Sequence, residues 1–204
     1  MAILALGPSG KLPLDHFKGL WVDDGLMVIL HVVLRDLTLI GFHLLGQIQE
    51  IVDNCGYSPA TFYRHFKDKY DLIAWDYVCQ SSKIMNKVDV GAYVWKDTLS
   101  DGIRFFLKNK EYMQNLLRNT SGHDAFIRHL SMANIGHLTK CILMLTGEKV
   151  LDPDREILVK IYCFGTVQTI CGWLLDEIRM GGDHLSELFE QALPDALRDS
   201  LCKE

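Results

Sequence analysis

The run of residues 56–69 limits the possible fold more than any other part of the chain. It reads Gly-Tyr-Ser-Pro-Ala-Thr-Phe-Tyr-Arg-His-Phe-Lys-Asp-Lys. Ser58 is a good N-cap, and Pro59 then falls at the first helical position, where its missing N–H costs nothing. Phe62 and Phe66 are four residues apart and therefore share one helix face. The run predicts a turn, a short helix that points its phenylalanines into a small core, and the start of a second helix.

The remaining faces of this short helix carry hydroxyl, aromatic and cationic groups, which are what a helix in the major groove of DNA needs. The residues from about Ile48 to Trp75 resemble the helix-turn-helix of TetR-type transcriptional regulators. That resemblance implies an all-α fold, with an N-terminal DNA-binding domain and a C-terminal helical domain for ligand binding and dimerisation. It also implies a long helix, residues 67–86, that connects the two domains.

DNA contacts divide into phosphate contacts, which position the protein, and base contacts, which specify the sequence. By resemblance and by their places on the helix, four residues are expected at the phosphate backbone: Ser58, Thr61, Tyr63 and Lys69. Four others are placed to approach the bases: Pro59, Ala60, Arg64 and His65. The expected partner is double-stranded DNA carrying a palindromic operator, because helix-turn-helix dimers read two half-sites.

The chain of 204 residues divides into three predicted parts. Residues 1–24 are expected to be poorly ordered or divergent, residues 25–86 form the DNA-binding domain, and residues 87–204 form the regulatory and dimerisation domain. The segment 25–45 is strongly apolar, unlike the amphipathic first helix of the resembled family. Arg35 and Asp36 lie in its middle, which favours a buried helix over a membrane span.

The C-terminal part shows helical periodicity throughout. Helices are predicted at residues 93–108, 111–118, 123–145, 153–180 and 183–201, the last one broken near Pro194. Gly147 is expected to end the third of these helices, Asp152 and Pro153 to begin the fourth, and Gly181-Gly182 to end it.

Two groups of residues in this part are candidates for binding. Apolar side chains that could line a ligand pocket are Trp95, Phe106, Met113, Phe126, Met132 and Trp173. The helix at 153–180 is apolar on nearly all sides, so one of its faces needs a partner. A homodimer interface is predicted at Ile161, Gly165, Gln168, Gly172, Leu175, Leu188 and Phe189, and a central helix of a monomeric bundle is the alternative.

The sequence offers little for catalysis, metal binding or secretion. It contains no G-x-S-x-G, Walker A, H-E-x-x-H or G-x-G-x-x-G motif, so we expect neither an enzyme nor a cofactor. The six cysteines lack C-x-x-C spacing, and His123, His129 and His137 do not share one helix face, so no metal site is predicted. No signal peptide is recognisable, and a cytoplasmic protein without membrane contacts is expected.

The predicted function is therefore sequence-specific regulation of transcription. The protein would be a homodimeric repressor whose DNA affinity responds to a small-molecule or protein effector. The net charge of −5 with clustered cations near residue 64 suits a specific regulator better than a general nucleic-acid binder. The alternative is a helical protein–protein interaction module or co-regulator that has lost DNA reading.

Overall fold

A computed structural model describes residues 48–55, 58–88, 93–119 and 123–201. Within these ranges all regular secondary structure is α-helical, so the predicted all-α fold is confirmed. The expectations for residues 1–24 and for the apolar segment 25–45 lie outside the described residues.

Three helices make up the first part of the described chain: α1 (Ile48–Cys55), α2 (Pro59–His65) and α3 (Lys69–Met85). The start of α2 is as predicted, because the Ser58 side chain caps it and Pro59 occupies its first turn. Phe66 has extended backbone and ends the helix. α3 is the predicted connecting helix, with slightly shorter bounds.

Six further helices follow in the described ranges. They are α4 (Trp95–Lys108), α5 (Lys110–Asn119), α6 (His123–Thr146), α7 (Pro153–Leu174), α8 (Gly182–Gln191) and α9 (Asp195–Leu201). Gly147 follows α6 with a φ of 75°, and Asp152 caps α7 through the backbone N–H groups of Asp154 and Arg155. The predicted break near Pro194 separates α8 from α9.

The predicted end of α7 near residue 180 is wrong, because the helix ends at Leu174. Asp176 adopts the left-handed conformation, with a φ of 63°. Its backbone N–H donates to the Trp173 carbonyl, and the next N–H donates to the Gly172 carbonyl at 2.9 Å, which is the Schellman pattern of helix termination. Gly181, which was expected to end α7, is instead the N-cap of α8.

Packing joins the helices around a shared interior. α7 lies along α6, α4 lies along α8, and α3 packs against α6. The largest buried cluster runs from Val52 and Phe62 through Trp75 and Tyr77 to Trp173 and beyond. Residues on both sides of the predicted boundary at 86–87 therefore belong to one core.

Within the described ranges, α7 is the one helix long and apolar enough to cross a membrane, judged by length and composition alone. Half of its most apolar stretch is buried inside the protein. A core helix with one open face has the same composition, and the packing of α7 against α6 is of that kind.

Candidate nucleic-acid interface and interior cavity

The short helix α2 is fixed by aromatic packing on its inner face. Phe62 and Phe66 are almost fully buried, and their ring centroids lie 5.5 Å apart. The Phe66 ring also contacts Trp75 of α3, with centroids 5.9 Å apart, and Val52 of α1 belongs to the same cluster. The predicted inward Phe face is confirmed, and it holds α2 against both neighbouring helices.

The outer face of α2 is open to solvent. Tyr63 is 56% exposed, and Ala60 and Arg64 are exposed as well. The Tyr63 ring rests edge-on against Phe62, with centroids 5.6 Å apart, so its direction is set by the core beneath it. The cationic and aromatic groups of α2 therefore sit on a rigid support facing outward.

The remaining predicted DNA contacts lie around this face. Ser58 is exposed, and its Oγ accepts the backbone N–H of Thr61 at 3.2 Å. Ser58 Oγ and Thr61 Oγ1 lie 3.1 Å apart, so both hydroxyls are at the helix start. Pro59 and Thr61 are half-buried, and Lys69 is the first residue of α3, with its side chain outside the described atoms.

His65 completes the predicted set at the end of α2. Its side chain is half-buried, and burial, together with the charge of Arg64, holds its pKa below the usual 6.5. The ring is therefore mainly neutral at pH 7. A neutral imidazole offers one donor and one acceptor, whereas Arg64 offers donors only.

The start of α3 is capped by carboxylates. Asp68 accepts the backbone N–H of Asp71 at 3.0 Å, and Asp71 accepts that of Lys67 at the same distance. Burial raises the pKa of Asp71, and the hydrogen bond from Lys67 partly opposes that shift. This capping fixes the turn between α2 and α3, in which Lys67 is exposed.

A cavity of about 100 Å³ lies among α3, α4, α6 and α7, and Phe189 of α8 also lines it. Two predicted pocket residues, Trp95 and Phe106, line it. Met113 and Trp173 are buried in the core but do not line it, and the half-buried Met132 does not line it either. The Phe126 side chain lies outside the described atoms.

Several residues of this lining were not predicted from the sequence as pocket residues, among them Tyr77 and Asn134. The Tyr77 hydroxyl donates to the Asn134 amide oxygen at 2.9 Å. An asparagine in the middle of an apolar helix was the available signal, because a buried amide needs a partner.

The residues predicted for a dimer interface fall into two groups. Ile161 is 62% exposed, Gly165 and Gln168 are exposed, and Leu175 and Leu188 are half-buried. Gly172 and Phe189 are buried within the same chain. A Cβ at Gly172 would lie 3.3 Å from the Ile178 side chain, so this glycine serves a contact inside the chain.

The exposed face of α7 is larger than predicted. Ile157 and Phe164 are also exposed, and they lie four residues before and three residues after Ile161. Together with Gly165, these three side chains form an apolar face that we call the α7 face.

Among the described residues, no three His, Cys, Asp or Glu side chains are grouped so that they could hold a metal ion.

The comparison with known families agrees with this geometry. Residues 41–74 match the sequence model of the family described as bacterial regulatory proteins, tetR family. The matched range includes α1, α2 and the first part of α3, which are the helices that present the outer face of α2. No curated protein matches the chain. Residues 41–74 thus carry a sequence typical of the tetR family, a family of DNA-binding transcription regulators, and the described residues have an all-α, TetR-like fold.

Proposed function

We propose that the protein is a homodimeric repressor that binds a palindromic operator, with its DNA affinity controlled through the C-terminal helices. The observation that carries this proposal is the outer face of α2. Its exposed Tyr63 and Arg64 are supported by Phe62 and Phe66, so they can enter a groove without being reordered. Arg64 is the candidate for guanine, because arginine binds guanine O6 and N7 in a bidentate manner.

The α7 face supports the homodimer. Ile157, Ile161 and Phe164 expose large apolar side chains in succession along one helix. A contiguous exposed apolar patch is typical of an interaction surface. A two-fold axis through this face would pair two copies of α2, and such pairs read half-sites about 34–36 Å apart.

Repression is the simplest outcome of this arrangement. A dimer seated on a promoter occupies DNA that the polymerase needs, and no further contact is required. Control would run through α3, because its first turn adjoins α2 and its later residues line the cavity. A change in the tilt of α3 would alter the spacing of the two α2 helices. The protein would act in the cytoplasm, where bacterial DNA is reached.

The DNA-binding part is tested by selection from random-sequence duplexes at near-physiological salt, followed by sequencing. We expect a short palindrome to be enriched. Arg64→Ala should lower the affinity for that palindrome and relax the sequence preference at one position by about 1–3 kcal/mol. Arg179→Ala is the matched control, because Arg179 is an exposed arginine in the turn between α7 and α8. Loss of sequence enrichment from a well-folded dimer would favour the interaction-module alternative.

The dimer is tested separately by light scattering. Ile161→Asp places a charge in the centre of the α7 face and should yield a folded monomer that binds one half-site weakly. Leu107→Asp is the control, because Leu107 is an exposed apolar residue on a different helix, α4. A variant Ile161→Asp that remains dimeric would contradict this interface.

A further inference from the structure

Two hydrogen-bonded pairs of polar side chains join the connecting helix α3 to α6. The Tyr77 hydroxyl donates to the Asn134 amide oxygen at 2.9 Å, and the Ser82 hydroxyl lies 3.1 Å from His137 Nε2. Tyr77 and His137 are buried, and Ser82 and Asn134 are half-buried. We call these two pairs the polar seam.

Apolar packing alone would not fix how far α3 lies along α6. In the buried cluster that both helices share, Val78 of α3 and Leu130 and Ala133 of α6 are aliphatic, and such surfaces can pack in more than one register. A shift by one helical turn moves a side chain by about 5.4 Å. It would break both hydrogen bonds of the seam and leave buried polar groups without these partners, which is unfavourable. Fixing register is the best-attested role of buried polar groups in helix–helix contacts.

The position of α3 along α6 also decides where α2 lies. Trp75 of α3 contacts Phe66, directly after α2, with ring centroids 5.9 Å apart, so α2 follows the first half of α3. On its other side, α6 lies along α7, which carries the α7 face. The seam therefore lies between the proposed DNA-binding surface and the proposed dimer interface.

We propose that the polar seam is a register lock, in which Asn134 and His137 are positioning residues that set the separation of the two α2 helices in the dimer. The inference rests on the proposed function for the dimer and its operator, whereas the lock itself is a property of one chain. A helical turn of about 5.4 Å corresponds to between one and two base-pair steps of about 3.4 Å. The seam should thus decide which spacing between half-sites the dimer accepts.

The test replaces each hydrogen-bonded pair by apolar side chains. One double variant combines Tyr77→Phe with Asn134→Leu, and the other combines Ser82→Ala with His137→Leu. Because both partners are replaced, no buried group loses its partner, and both double variants should fold with nearly unaltered stability. Ser131→Ala is the control, since Ser131 is a buried residue of α6 whose hydroxyl has no partner among the described residues.

The first measurement is the affinity for the selected palindromic duplex and for duplexes whose spacing is changed by one or two base pairs. In the unaltered protein and in Ser131→Ala, we expect a changed spacing to lower the affinity on the order of tenfold or more. Each double variant keeps one pair of the seam, so its preference should weaken. The combined variant, with all four replacements, should discriminate by less than about threefold. Spacing preferences that stay unchanged in all these variants would overturn the lock.

The single variant Tyr77→Phe separates register from stability. It leaves the Asn134 amide oxygen without this donor, so it should be less stable than the double variant that also carries Asn134→Leu. If the seam only stabilised the protein, the spacing preference would return together with stability in that double variant. Such a joint recovery would contradict the lock.

A second readout needs neither DNA nor the dimer. In proton–nitrogen NMR spectra of the nitrogen-15-labelled full chain, alternative registers produce additional or broadened backbone signals from α2 and α3. We expect such signals from the combined variant and a single sharp set from Ser131→Ala. A single sharp set from a folded combined variant would overturn the lock, and if that variant does not fold, the two double variants are judged by the same criterion.

The two readouts distinguish failure of this inference from failure of the proposed function. If the unaltered protein enriches no palindrome, the proposed operator binding fails, and the NMR comparison still decides whether the seam fixes the register. If a palindrome is enriched and no variant changes its spacing preference or its spectrum, the regulator stands and the register lock is wrong.

Discussion

The hydroxyl of Tyr77 on α3 donates to the amide oxygen of Asn134 on α6, at 2.9 Å. Two residues before Tyr77 on the same helix, Trp75 contacts Phe66, which lies directly after α2. A single stretch of α3 therefore contacts both the aromatic support of α2 and the wall of the cavity. Under the proposed function, this stretch would carry an effect of the cavity to α2.

Removing the Tyr77 hydroxyl should destabilise the protein. Tyr77→Phe leaves the Asn134 amide oxygen without this donor, so we expect a loss of about 1–2 kcal/mol in the free energy of unfolding. Urea denaturation followed by circular dichroism gives the value. The control is Tyr93→Phe, which removes a hydrogen bond to Asp101 at a more exposed site and should cost less. Equal losses in the two variants would contradict the prediction.

Neighbouring residues on α2 should have separable roles. Phe62→Ala empties a site in the core and should cost about 3–5 kcal/mol. Tyr63→Ala removes an exposed ring and should change stability by less than about 0.5 kcal/mol. Tyr63→Ala should nevertheless weaken DNA binding, measured by fluorescence anisotropy on the selected duplex. A Tyr63→Ala variant with unchanged DNA affinity would remove this residue from the interface.

Lys69→Ala should weaken binding to all DNA sequences alike. If Lys69 neutralises one phosphate, the slope of log affinity against log salt should become shallower by about one. Lys83→Ala, an exposed lysine in the last turn of the same helix, should leave the slope unchanged. The measurement is a salt titration of anisotropy with specific and random duplexes, and an unchanged slope for Lys69→Ala would exclude a phosphate contact.

His137 should make the fold sensitive to acid. Burial, with a smaller effect of Lys140, lowers the pKa of His137 from 6.5 to about 4. Its Nε2 lies 3.1 Å from the Ser82 hydroxyl, and its Nδ1 is buried without a partner among the described residues. The unfolded chain takes up a proton near pH 6.5, whereas the folded protein does so only near pH 4. The contribution of His137 to stability is therefore fully present above pH 6.5 and is lost as the pH falls across this window, by about 3 kcal/mol in total.

Unfolding free energies at several pH values test this behaviour. His137→Gln should flatten the profile between pH 4 and pH 6.5, because glutamine does not titrate. His184→Gln controls for the loss of an exposed imidazole. A profile that keeps its slope in His137→Gln would assign the acid sensitivity to another group.

Two glycines should respond to alanine with opposite signs. Gly147→Ala forces an L-residue into a φ of 75° and should destabilise the protein by about 1 kcal/mol. Gly102→Ala lies inside α4 with free space around its Cβ, so it should stabilise by about 0.5–1 kcal/mol. Thermal unfolding of both variants provides the measurement, and a shift of the same sign in both would refute this reasoning.

The sequence predicts those features that depend on neighbours along the chain. The start of α2 follows from Ser58 and Pro59, and the inward face of α2 follows from the spacing of Phe62 and Phe66. The end of α7 could not be predicted in this way. The carboxylate of Asp176, which has the left-handed conformation, accepts hydrogen bonds from Lys110 and Gln114 of a different helix, α5.

The candidate sites also differ in whether neighbouring residues in the sequence were enough to predict them. The outward residues of α2 were predicted from local order alone. The cavity required knowledge of which helices meet, because Tyr77 and Asn134 are 57 positions apart in sequence. Gly172 illustrates the limit of a spacing argument, since its small size makes room for Ile178 of the same chain.

The continuous buried cluster from Val52 to Phe189 has a thermodynamic consequence. This cluster includes both the α2 support and residues around the cavity, so both regions should melt in one cooperative transition. A molecule held in the cavity would then raise the melting temperature of α2 as well as that of its own surroundings. Binding in the cavity would thus be measurable as a higher melting temperature at the proposed DNA-binding surface.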